Sequence, residues 1–152
     1  MKRLLNDEWQ GVETSTHQHH VIAHVLGATV LGHFVHDETL HLLLDIGFIW
    51  TVYLDGQMVL LPHPMAVAEL EMDNDGITAV RRDVDLLLAN PRAQQELTRL
   101  TQVNMEIVDV NLYAQGDELR FVLWGTNESL QIETSVSSRR ISVQVINKTG
   151  SD

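Results

Sequence analysis

The chain has 152 residues, with 21 Asp and Glu against 10 Lys and Arg, a formal charge of −11 and no cysteine. That length suits one domain burying roughly two-thirds of its unfolded surface, and the missing positive field argues against nucleic acid and membrane surfaces as partners. Without cysteine there is no disulfide framework, thiolate nucleophile or iron–sulfur site, so a metal would fall to His and carboxylate ligands, and a cytoplasmic location suits the composition.

Met1-Lys2-Arg3-Leu4-Leu5 opens like an export leader, but Asn6, Asp7 and Glu8 interrupt it before the apolar run of about seven or more residues that a leader requires. No apolar stretch approaches the length of about twenty residues that a spanning helix needs. Ser15 to Gly27 reads as a short helix: Ser15 caps, Gln18 completes a capping box, and Gly27 suits the left-handed residue that ends it. Strands are expected from Val30 to Met72. Val30 to His36 and Leu40 to Leu44 form a hairpin around Asp37-Glu38-Thr39. Phe48 to Leu54 and Gln57 to Leu61 form a second around Asp55-Gly56, which tolerates the positive φ of a type I′ turn. Counting out from a two-residue turn pairs Val52 with Val59 and Trp50 with Leu61. Pro62 and Pro64 end the run, and Val67 to Met72 reads as a surface strand. Asn90-Pro91 reads as a helix start running to about Gln102, with Ala93, Leu97 and Leu100 as its stripe and Val84, Leu87 and Leu88 in a turn or two before the proline.

Four segments then alternate with period two: Val108, Val110, Leu112; Leu119, Phe121, Leu123; Leu130, Ile132; and Ile141, Val143, Val145. They predict an antiparallel meander with one wet face, turning at Gln115-Gly116-Asp117 and Gly125-Thr126-Asn127. The fold class is therefore α+β, predominantly antiparallel sheet with one or two short helices packed on it. It forms a single domain over residues 1–147 with a frayed tail at 148–152.

All eight histidines fall in the first 63 residues: His17, His19, His20, His24, His33, His36, His41 and His63. On a helix, His17, His20 and His24 occupy i, i+3 and i+7 of one face, a spacing at which imidazoles can share a divalent transition-metal ion. The plainer reading is the solvated side of an amphipathic helix. Read instead as strand, Gly11, five residues and His17-Gln18-His19 resemble the opening of the first cupin motif, and Gly56, five residues and Pro62 the opening of the second. The resemblance implies a β-barrel metal site, yet Ala23 or His24 stands where that family has Glu, and Pro64 and Val67 stand where it has Gly and a ligand His. His36-Asp37 is the dipeptide of the HD phosphohydrolases but falls at a strand turn. Glu71 to Gly76 resembles the start of a calcium loop, with Arg82 in place of the bidentate Glu at position twelve. Trp9, Trp50 and Trp124 read as core aromatics before pocket linings.

Residues 1–118 hold 18 acids against 6 bases, and residues 119–152 hold 3 against 4. The expected function is a non-catalytic, acidic protein-interaction domain, inhibitor-, immunity- or chaperone-like, whose partner is a protein with a basic surface. The alternative is a small metal-binding or His-dependent enzyme or sensor using the amino-terminal histidines. Exposed sheet edges make a homodimer an expectation as well. Histidines titrating at about pH 6 to 7 would offset much of the negative charge and make association pH-dependent.

Overall fold

A strand whose consecutive residues are apolar needs cover on both faces. Leu40, Leu42, Leu43 and Leu44 in one strand and Ile49, Trp50 and Val52 in the next are all buried, and that double burial sets the architecture. The computed structural model describes residues 9–11, 16–53, 58–61, 70, 72–90, 96–135 and 137–147, with the side chains of His17 and of Met58–Leu61 outside the description. The described elements are β1 (Gln10–Gly11), α1 (Thr16–Val25), β2 (Thr29–His36), β3 (Thr39–Leu44), β4 (Ile49–Tyr53), β5 (Met58–Leu61), α2 (Asn74–Ala89), β6 (Thr101–Glu106), β7 (Asp109–Gln115), β8 (Glu118–Trp124), β9 (Glu128–Ser135) and β10 (Arg140–Asn147).

They form two antiparallel five-stranded sheets, a central one in the order β5-β4-β3-β2-β6 and an outer one in the order β1-β7-β8-β9-β10. The α+β class and the meander of the last four strands are as the alternation predicts. Between the sheets lies the main core, built from Val30, Leu40, Leu42, Leu44, Trp50 and Val52 on one side and Val110, Leu112, Phe121, Leu123, Leu130 and Ile132 on the other. Val21 and Val25 of α1 enter the same cluster. Trp50 meets Phe121 edge to face at 5.3 Å, a geometry worth about 0.5–1.5 kcal/mol beyond the buried area. The opposite face of the central sheet, with Leu31, Phe34, Leu43 and Ile49, is covered by Val80, Val84 and Leu87 of α2. The molecule is thus three layers: outer sheet, central sheet and helix.

Several turns obey the local rules. Asp37 and Glu38 adopt φ 54° and 63°, and Thr39 pairs with His36, so the first hairpin closes on a two-residue I′ turn with Thr39 already in the strand. Gly27 has φ 90° and donates its amide to Ile107 O, ending α1 as expected; Ser15, its expected cap, lies outside the described residues.

Three expectations need correction. In the second hairpin Val52 pairs with Met58 and Trp50 with Leu60, one residue away from the register counted out from Asp55-Gly56. Such a slip exchanges the faces of β5 and places Leu60, in place of Leu61, opposite Trp50. Residues 54–57 of the turn lie outside the description. The second correction concerns the helix: it is α2, and Asn90 is its C-cap, donating its amide to Leu86 O. Asp73 is the N-cap, its Oδ1 accepting from the Gly76 amide at 2.8 Å. The stripe Ile77, Val80, Val84 and Leu87 decides the matter, since its helical spacing meets the apolar face of the central sheet. Leu97 and Leu100 pack on that cluster from irregular chain, Thr101 and Gln102 already belong to β6, and residues 91–95 lie outside the description. Finally, Leu70 and Met72 sit in bends, with the rest of the expected 67–72 strand outside the description.

Candidate functional site

The histidines that crowd the sequence are separated by the fold. α1 is helical across 16–25, which excludes the strand that a cupin reading of His17 and His19 requires. His19, His20 and His24 are exposed on that helix, whereas nothing of the His17 side chain is described. His33 lies opposite Leu42 in the central sheet; burial lowers its pKa, and its Nδ1 finds no hydrogen-bond partner among the described residues. His41 is buried under α2's side of the sheet. Its ring stacks on Phe34 at 4.7 Å and shares a hydrogen bond with Thr51 Oγ1 at 3.2 Å. Desolvation first, and the neighbouring His36 second, lower its pKa to about 4. Arg99 donates to His36 Nδ1 at 2.9 Å. His41 therefore stays neutral across pH 6 to 7 and cannot help offset the acidic charge there, and His63 lies outside the description. Among the described residues no three His, Asp or Glu side chains are placed to share a metal ion.

A different grouping comes from topology. The chain passes from central to outer sheet through Ile107 and Val108, and the surrounding backbone is knitted together there. Ile107 N donates to Ala28 O, Val108 N to Trp124 O, and Gly125 N to Glu128 O. Thr29 sits opposite Glu106 and donates its amide to Asp45 Oδ1 at 2.9 Å. Asp45, Glu106, Asp109 and Glu128 thus gather at one corner, the first three exposed. Segments 26–29, 44–48, 105–109 and 124–128 contain no Lys or Arg. Interspersed with the carboxylates are Leu26, 44% exposed, Ile46, 42%, and Val108, 57%. Alternation places Val108 inward with Val110 and Leu112, but it lies in the crossover before β7, its amide on Trp124 O and its side chain exposed. Beside the corner a groove of about 740 Å³ runs between α1 and β7, lined by His19, Ile22 and Leu26 from the helix and Asp109, Asn111 and Tyr113 from the strand.

The opposite end of the molecule is electrically mixed. Arg139 there pairs with Glu38 at 2.6 Å, and on the outer sheet's wet face Arg120 pairs with Glu133 at 2.6 Å while lying 4.1 Å over the Trp9 ring. Trp50 is the core aromatic of the three tryptophans, whereas Trp124 is half-buried and donates its indole N–H to Asn111 Oδ1 at 2.7 Å. Among the described residues no helix is long and apolar enough to cross a membrane. Comparison with protein families, with curated proteins and with solved structures found no match to this chain. The acidic corner escapes a reading of sequence alone because its four carboxylates come from four separate segments. The only linear signal is an acid beside an exposed aliphatic residue, in Asp45-Ile46 and in Val108-Asp109, at strand ends.

Proposed function

We propose that this is a non-catalytic protein-interaction domain that receives a basic surface of its partner at the acidic corner. The observation that carries the reading is the coincidence there of Asp45, Glu106, Asp109 and Glu128 with exposed Leu26, Ile46 and Val108, and of no described Lys or Arg. Carboxylates speed encounter and select for positive charge, while exposed aliphatic side chains supply area that is dehydrated on contact. A peptide of alternating Lys and Leu is a sufficient probe. The variant Asp45→Asn/Glu106→Gln/Asp109→Asn/Glu128→Gln should bind it at least tenfold more weakly, with a flatter salt dependence, whereas Asp37→Asn/Asp117→Asn at the far end should change affinity less than about twofold. Equal losses in the two variants reject the corner as the binding face.

A second reading keeps the stripe of α1, because the helix does form and leaves His20 and His24 exposed one turn apart. Under that reading His17, His20 and His24 hold a divalent transition metal. Calorimetric titration with zinc should then show one site with Kd below about 10 µM, lost in His20→Ala/His24→Ala; weaker binding rejects it.

A further inference from the structure

We propose that two copies of this chain associate through β10, edge to edge and antiparallel, so that the outer sheet continues across a two-fold axis. A sheet edge carries a row of unsatisfied amides and carbonyls, and proteins protect such edges with bulges, prolines, inward charges or covering elements. The other edges of this fold are protected in those ways. β7 is flanked by β1 and has α1 across the groove beside it; β5 has α1 against it. In β6, Asn104 is at φ 65° and the pairing with β2 breaks register between Val30 and Gly32. β10 has none of these devices apart from a single charge, Arg140, at its first position. It pairs with β9 without a break from Arg140 to Asn147, contains no Pro, Gly or acid, and has no described neighbour on its other side.

Charge selects the occupant. A second copy also carries −11, so it must approach through a surface without carboxylates, and residues 134–151 contain none. The side chains are suited to it too. Ile141 and Val143 are only partly buried against the main core, and Val145 remains 49% exposed. In a two-fold antiparallel pair, residues directly opposite share a face, so inward residues must meet inward residues. Centring the axis on Val143 sets Val143 against Val143 and Ile141 against Val145 of the second copy. Centring it on Gln144 would set Arg140 against Lys148, which like charge disfavours.

Sedimentation equilibrium over about 1–100 µM, at low and moderate salt, tests this directly. A monomer–dimer equilibrium is expected, tightened by salt because screening relieves the repulsion between like-charged copies; the basic partner at the acidic corner would respond in the opposite direction. Val145→Lys should weaken dimerisation at least tenfold while the far-ultraviolet circular dichroism is retained. Because the chain has no cysteine, Val143→Cys should oxidise to a covalent dimer, whereas Ile146→Cys, set opposite Arg140, should not. A monomer at every concentration, or a dimer indifferent to Val145→Lys, overturns the proposal.

Discussion

Asp83 is completely buried in the middle of α2, and its carboxylate organises the chain that leads into β6. Its oxygens accept from Thr98 N at 3.0 and 3.1 Å, from Arg99 N at 2.6 Å and from Leu100 N at 2.9 Å. Asp83→Ala removes the acceptor for all three amides. The Leu100 bond is in buried surroundings and the other two are part-buried, so at about 1–3 kcal/mol for each amide left unsatisfied, the larger figure applying to Leu100, the total loss is about 3–5 kcal/mol. Asp83→Asn keeps the shape and one acceptor oxygen and should lose about 1–3 kcal/mol. Urea unfolding reads both, with the slope unchanged if the denatured state is unaffected, and Tm should fall by about 2–4 °C for each kcal/mol in a chain of this size. Native-state hydrogen exchange adds a local readout, because the Leu100 amide should lose its protection before the strands do. A loss below about 1 kcal/mol in Asp83→Ala would show that water replaces the carboxylate and that Asp83 does not anchor the helix to the sheet.

Burial of His41 ties stability to pH. Its pKa is about 4 in the folded chain against the usual 6.5, so above 6.5 neither state binds the proton. Between 6.5 and 4 only the unfolded chain binds it, and stability falls as the pH falls. By about pH 4 this costs on the order of 3 kcal/mol, and His33, lowered in the same sense, adds to it. His41→Gln should flatten that part of the stability profile between pH 7 and 4, and parallel profiles for the two proteins would refute the assignment. At Gly32 a Cβ would lie 2.8 Å from Thr101 O and 3.3 Å from Leu100 Cδ2. Gly32→Ala should therefore lose about 1–3 kcal/mol by forcing β2 and β6 apart, measured by the same urea titration.

The parts of the fold legible in the sequence are those whose signal is local. Period-two alternation located β7 to β10 because one face of the outer sheet is wet, and Gly27 marked the end of α1 because a left-handed residue is needed there. The central sheet is less readable for the opposite reason: with both faces covered, β3 and β4 are nearly continuous apolar runs and carry little alternation. α2 was obscured by its own cap. Asp73, Asn74, Asp75 and Gly76 are residues that turns favour, and an Asx side chain accepting a nearby backbone amide serves a turn and a helix start equally. Asn90-Pro91 carries the residues of a helix start, yet no α-helix runs through the described residues 96–102. Asn90 instead closes α2, where the burial of Val80, Val84 and Leu87 outweighs any local preference. The acidic corner has little linear signature, since its members converge only when the β3–β4 turn, β6, β7 and β9 are placed.

The layering also limits where a partner can act. α2 covers one face of the central sheet and the outer sheet covers the other, so most positions of β2, β3 and β4 are committed to packing. Among the described residues, exposed large apolar side chains group at the strand ends around Ile107 (Leu26, Ile46 and Val108) and along β10 (Val145 and Ile146), while Val35, Tyr53 and Leu88 stand apart from both. These two regions differ in charge: the first is rich in carboxylates and the second has none. An acidic corner repels a second copy and attracts a basic protein, while an acid-free edge tolerates a like-charged copy. Raising salt should therefore weaken the first association and strengthen the second. One titration, following probe binding and self-association together in the same protein, separates them by the sign of the response.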